Sequence, residues 1–121
     1  MPKIQNPKQY DLEERTYNFA KRCRDFVRKL PKTTANIEYG KQLIRSSGSP
    51  ASNYIEANES LSKKDFKHKI KICRKEAKES RLWLRLCVTG KNQELEREKK
   101  ELIQEAVELT KIFGSILEKS K

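Results

Sequence analysis

Apolar residues recur along this chain in steps of three and four, and they fall into four runs separated by short polar breaks. The first run is Leu12, Phe19, Ala20, Cys23, Phe26, Val27 and Leu30, with Thr16 filling one gap. That spacing predicts a helix with one buried face. Asp11 is placed to cap it, Glu13 and Glu14 suit the positive end of its dipole, and Pro31 stops it. Residues 1–9 are polar, carry Pro2 and Pro7, and are expected to form a flexible N-terminal segment.

The second run begins after Thr33 or Thr34 and places Ile37, Gly40, Ile44, Ser47, Ala51, Tyr54 or Ile55, and Asn58 on one stripe. It crosses RSSGSPASNYIEANES (residues 45–60), whose first half reads as a linker and whose second half reads as a helix. The stripe stays in phase across Gly48 to Pro50. One long helix from residue 34 to about 60, kinked near Gly48–Pro50, is therefore the expectation, with a break at 48–50 as the alternative. A proline inside a helix costs roughly 3 kcal/mol, and Gly48 with its serine neighbours permits the bend.

Ser62 opens a third helix with the capping pattern S-K-K-D, and its stripe is Phe66, Ile70, Cys73, Ala77, Ser80, Leu84 and Cys87, up to a stop at Gly90. Asn92 caps a fourth, with Leu95, Leu102, Ile103, Ala106, Leu109, Thr110, Phe113 and Leu117 on its face and Lys99 at the stripe's edge. The fold class that follows is all-α: an antiparallel up-down four-helix bundle over residues 10–121.

Composition narrows the function. The chain has 121 residues and a formal net charge of +11, which favours an anionic partner such as nucleic acid or an acidic surface over a merely soluble exterior. Cys23, Cys73 and Cys87 form no C-x-x-C, and the single His68 leaves no zinc-type ligand set, so no metal or cofactor is expected. The thiols read as small core residues of a reduced, cytoplasmic protein. The N-terminus lacks the apolar run of a signal peptide, and no stretch is long enough for a membrane helix, so no membrane partner is expected.

The charge is unevenly divided. Residues 63–91 carry eleven basic and three acidic side chains and residues 1–32 carry nine and four, whereas the other two stretches are each net −1. On the third helix Lys67, Lys71, Arg74, Lys78, Arg81 and Arg85 follow one another by three or four, about 100° round from the core stripe, with Lys64 and Lys75 beside them. Such a ladder matches the footprint of a phosphate-backbone binder, with a solvated lysine-rich face as the plainer reading. Arg24 and Arg28 of the first helix are further candidates if assembly brings the two basic faces together. No zinc finger, RNP motif or recognisable helix-turn-helix is present to read bases.

Farther along the same helix, in LWLRLCV (residues 82–88), only Arg85 is polar. Leu82, Trp83, Leu84 and Leu86 span the whole circumference, and Ile72, Trp83 and Leu86 share a face away from the ladder. Ile72, Leu82, Trp83 and Leu86 are thus the expected oligomer interface, in preference to a misjudged core. Catalytic constellations are absent: no triad, Gly-rich phosphate loop or H-E-x-x-H occurs, so no catalytic residue is named.

S-P-A-S-N-Y-I-E-A (residues 49–57) followed by K-D-F-K-H-K-I-K-I-C-R-K-E-A-K-E-S-R-L-W-L-R-L (residues 64–86) resembles the bacterial rRNA intervening-sequence proteins. The resemblance covers residues 10 to 117 and departs from the family pattern at Pro50 and Ala51. It implies a homopentameric ring of four-helix bundles with no established activity. It also implies kinship with the accessory variability protein of diversity-generating retroelements, which engages nucleic acid and a reverse transcriptase. By the same analogy Asn53, Glu56 and Glu79 form a polar cluster, with Arg45 or Arg81 as the compensating cation, more as a register-fixing network than as a functional site. The resulting expectation is a non-enzymatic oligomer that binds RNA or DNA backbones with little sequence specificity. The alternative is a scaffolding bundle that docks a protein and no nucleic acid.

Overall fold

Each apolar run becomes one α-helix: α1 (Pro7–Lys29), α2 (Thr34–Asn58), α3 (Lys63–Leu86) and α4 (Gln93–Lys119). The computed structural model describes the backbone of residues 7–121 and the side chains from Leu12 onward, and no strand occurs among the described residues. α1 packs beside α2 and α4, and α3 packs beside α2 and α4, whereas the backbones of α1 and α3 do not approach each other among the described residues. The protein is an all-α four-helix bundle in which α1 and α3 occupy opposite corners.

Cross-helix rungs fix the directions. Arg15, Arg22 and Lys29 of α1 meet Glu105, Glu101 and Glu98 of α4 in reverse order. Asn36, Ser46 and Glu56 of α2 meet Val88, Ser80 and Lys69 of α3, again in reverse order. In both pairs the two helices run in opposite senses.

The helix ends follow local chemistry. Thr33, Ser62 and Asn92 each accept a bond from the backbone N–H three residues on, so each caps the helix that follows. α1 differs from expectation. It starts at Pro7, so Asp11 lies a turn inside it rather than at its cap. Proline suits the first helical position because its missing N–H would be unpaired there anyway. Residues 1–6 of the expected loose segment lie outside the described residues, and 7–9 are helical. α3 closes at Leu86, before Gly90, which takes φ +71° in the following turn. Lys99 lies across that end and donates to the carbonyl oxygens of Cys87 and Arg85, at 2.8 and 3.3 Å.

Leu12, Phe19, Cys23 and Phe26 of α1, Ile70, Cys73, Ala77 and Leu84 of α3, and Leu102, Leu109 and Phe113 of α4 build the core, as the stripes indicate. α2 differs. It is one unbroken helix through Gly48, Ser49 and Pro50, which removes the linker alternative. Its inward face, however, is Asn36, Gly40, Leu43, Ser46, Ser47, Pro50, Tyr54 and Ala57. Gly40, Ser47 and Tyr54 lie inside as expected, whereas Ile37 and Ile44, expected inside, and Ile55, the alternative to Tyr54, are 46%, 47% and 53% exposed. The helix is turned so that small residues face its neighbours. Ser46 Oγ and Ser80 Oγ lie 2.9 Å apart, and the Cys73 thiol donates to the Pro50 carbonyl, which packs α2 closely on α3.

The same closeness governs the α1 side. A Cβ added at Gly40 would sit 2.8 Å from Val27 Cγ1, so α1 and α2 approach where α2 has no side chain. Alanine is favoured over glycine in a helix by about 1 kcal/mol, but overpacking costs about 1–3 kcal/mol. Gly40→Ala should therefore lower stability in urea unfolding by about 1 kcal/mol. In a Val27→Ala background the same change should stabilise. A stabilising Gly40→Ala in the otherwise unaltered chain would show that the contact yields freely.

Candidate nucleic-acid interface

Charge on the bundle is sorted by helix pair. At the α1–α4 seam Arg15 donates to Glu105 at 2.7 and 2.8 Å and to Glu108 at 2.8 Å. Arg22 reaches Glu101 at 2.9 Å and Lys29 reaches Glu98 at 3.3 Å. The hydrogen bonds that Arg15 donates to Glu105 hold its guanidinium more firmly protonated than usual, and Gln104 and Arg15 together lower the Glu108 carboxyl. Four of the carboxylates of α4 are therefore engaged with α1. None is turned toward α3.

The basic ladder lies on the side of α3 that adjoins α4. Lys64, Lys71, Arg74, Lys75, Lys78, Arg81 and Arg85 are exposed and Lys67 is half-buried. Among the described residues none of these eight has a carboxylate within ion-pair distance. A Cβ added at Gly114 of α4 would meet Arg74 Cδ at 3.9 Å, so the Arg74 stem lies over this glycine with its head carried outward. The result is a continuous cationic strip about six turns long at the helical pitch of ~5.4 Å.

Arg24 and Arg28 do not join it. They sit on α1, on the corner opposite α3, with Arg24 bonded to its neighbour Asp25 at 3.1 Å. That bond, ahead of the general charge of Arg24, Arg28 and Lys21, lowers the Asp25 carboxyl.

On the α2 side of α3 the acids are compensated. Arg45 donates to Glu76 at 3.2 Å and to Glu79 at 3.3 Å, and the Glu76 bond is the larger cause of its raised pKa. Glu76 is 6% exposed, and its Oε1 has no hydrogen-bond partner among the described residues. The expected cluster of Asn53, Glu56 and Glu79 does not form. Glu56 bonds Lys69 at the surface, and Asn53 bonds Ser49 within its own helix. Arg45, not Arg81, is the cation. Glu76, absent from the sequence-based set, is the buried acid. Its signal was an acid three residues before Glu79 and within reach of Arg45 across the helix pair.

The expected oligomer face also separates. Trp83 is half-buried and stacks on Tyr39 of α2, ring centres 5.9 Å apart, with its Nε1 enclosed. Ile72 is half-buried, and Leu82 and Leu86 are exposed at 44% and 38%. Besides Tyr17 and Leu61, the exposed large apolar residues are Leu82 and Leu86 on α3 with Val88 just beyond it, and the Ile37, Ile44 and Ile55 stripe on α2. Sequence reasoning assigned Ile37 and Ile44 to the core, with Ile55 as the alternative to Tyr54.

All three cysteines are buried and free. Burial pushes the Cys23 and Cys73 thiols up to about 12 and raises Cys87 as well, which leaves them protonated and inert at neutral pH. No group of three or more His, Cys, Asp or Glu among the described residues is placed to hold a metal, and none of their helices is long and apolar enough to cross a membrane.

The family profile described as 23S rRNA-intervening sequence protein matches residues 8–115. Among solved structures, the chain is similar to a protein of unknown function from the S23 ribosomal protein family of Bacteroides thetaiotaomicron. The TM-score is 0.78 at 26% identity, over 92% of this chain and 98% of that one. No curated protein matches.

The Arg45 bridge is testable without any ligand. Removing Arg45 leaves Glu76 enclosed and uncompensated, whereas removing both groups does not. Arg45→Ala should cost about 1–3 kcal/mol in urea unfolding, and Arg45→Met combined with Glu76→Leu should recover most of it. An unrecovered loss in the double variant would mean that the pair itself carries the stability.

Proposed function

The chain belongs to the 23S rRNA-intervening sequence protein family, and from that premise we propose that it acts as a non-enzymatic, oligomeric module that holds RNA or DNA by the phosphate backbone. One observation carries this reading: the ladder of α3 is unneutralised, although acidic side chains are plentiful on the adjacent α4. A solvated surface gains nothing from segregating its charge this way. A polyanion does, because each phosphate neutralised releases condensed counterions, and that release drives binding.

Lys67, Lys71, Arg74, Lys78 and Arg81 are the residues assigned to successive phosphates, with Lys64 and Lys75 at the margin. Phosphate contacts position a nucleic acid without reading its sequence, so discrimination between sequences is expected to be small. Arg24 and Arg28 contribute only if a second copy carries α1 of one subunit beside α3 of the next.

The working form in this reading is a homo-oligomer, five copies by the family resemblance. Support comes from the two exposed apolar surfaces, on α2 and at the end of α3, that no described part of the same chain covers. They also favour a second reading, in which the bundle docks a protein such as a reverse transcriptase by analogy, in a cytoplasmic setting, and the ladder serves solubility.

Two measurements separate these. In fluorescence anisotropy with short labelled RNA and DNA, affinity should fall by about 10³–10⁵ between 50 and 200 mM salt if six to ten phosphates are engaged. The triple change Lys71→Glu, Arg74→Glu and Lys78→Glu should weaken all sequences alike and flatten the salt slope. Absence of binding at ~50 mM salt, where backbone electrostatics are strong, would pass the argument to the docking reading.

Light scattering coupled to gel filtration should give a mass several times that of one chain, and Ile44→Glu or Leu82→Glu should reduce it. Trp83 is a poor choice for this test because it also packs inside the bundle. A single-chain mass at tens of micromolar would remove the oligomer from the proposal.

A further inference from the structure

We propose that the first turns of α3 form a site for a phosphate monoester, the doubly charged group that ends a phosphorylated nucleic-acid strand. Lys63, Lys64, Lys67, His68 and Lys71 together line a surface cavity of about 510 Å³. None of the five is paired with a carboxylate among the described residues. Asp65, the acid of the first turn, does not line it.

The chemistry of the lining differs from that of the rest of the ladder. Farther along, arginines enter at Arg74, Arg81 and Arg85, and each guanidinium forks onto two oxygens of one group. Here the cations are lysines with a histidine, compact donors that can gather around a single oxyanion. The cavity also sits at the positive end of the α3 dipole, which adds to the same field. A diester in a strand carries one negative charge, whereas a monoester carries close to two at neutral pH. A convergent cluster gains more from the second charge than an extended ladder does. Four of the five lining side chains are lysines, which address the phosphate rather than the base.

The strand-end assignment rests on the backbone-binding reading; the phosphate site does not. His68 is the chain's single histidine, so its Hε1 ring proton gives one unambiguous resonance. At constant pH and ionic strength, inorganic phosphate should move that resonance saturably, with chloride as the control. The Lys67→Gln, Lys71→Gln double variant should abolish the response.

In anisotropy, a 5′-phosphorylated oligonucleotide should bind roughly tenfold tighter than its 5′-hydroxyl twin, a gain on the scale of one added charge contact. The same double variant should erase that difference, while Lys78→Gln with Arg81→Gln should weaken both ligands equally. A His68 resonance indifferent to phosphate overturns the site. Equal affinity for the two oligonucleotides overturns its assignment to strand ends. If neither oligonucleotide binds while His68 still answers to phosphate, the site stands and the backbone reading fails.

Discussion

Three cations spaced by seven on α1 meet acids of α4 in reverse order, from Arg15 with Glu105 and Glu108 to Lys29 with Glu98. Pairs as exposed as Arg22 with Glu101 contribute about 0.2–1 kcal/mol each, so the seam is not mainly a source of stability. Its larger consequence is placement. A rotation of α4 that offered these acids to α3 would cancel the ladder, and the surface would then be merely mixed. An acid of α4 that bonds a cation of α1 is not free to neutralise one on α3. The basic strip on α3 is in this sense a consequence of what α4 does elsewhere.

α2 answers to a different constraint. It must approach α1 closely at Gly40 and α3 closely at Ser46. At those two crossings only small side chains permit that, so Gly40, Ser46 and Ser47 face inward there, with the larger Leu43 and Tyr54 elsewhere on the same face. Hydrophobic periodicity made α1, α3 and α4 legible because their inward faces are the apolar ones. On α2 it found Gly40 and Ser47 and left Tyr54 or Ile55 open, but it favoured Ile37, Ile44 and Ala51 over Asn36, Leu43 and Pro50, one position off. Asn36 is buried because its side chain donates to the Pro31 and Val88 carbonyls and accepts from the Val88 N–H. No periodicity argument contains that information. A helix with apolar residues on two faces is read correctly only when close packing is known to be required on one of them.

The candidate interface was legible in part. Spacing alone places Lys67, Lys71, Arg74, Lys78 and Arg81 on one strip. Spacing cannot say whether acids from a neighbouring helix will meet them, and that decides whether the strip carries a field. The polar cluster shows the same limit. Glu56, Glu76 and Glu79 look alike along the chain, and only the crossing of α2 and α3 selects Glu76 for burial and brings Arg45 to it. Trp83 reads as an interface residue until Tyr39 is known to lie beneath it.

The N-terminal end of α3 is where local preference is most plainly violated. Helices favour acids in the first turn, as α4 shows with Glu94 and Glu96. α3 instead begins with Lys63 and Lys64, and only Asp65 offsets them. Each misplaced cation costs about 0.3–1 kcal/mol against the dipole at low salt. Like charges at steps of four, such as Lys63 with Lys67 and Lys67 with Lys71, add a few tenths of a kcal/mol each. The Ser62 cap returns about 1 kcal/mol, and burial of Ile70 and Cys73 secures the following turns. The helix is therefore held at its start by packing and capping while its own electrostatics oppose it. A feature that breaks a local rule with no gain inside the folded chain is where a functional demand is expected, and an anion at this end would turn each of these unfavourable terms into a favourable one.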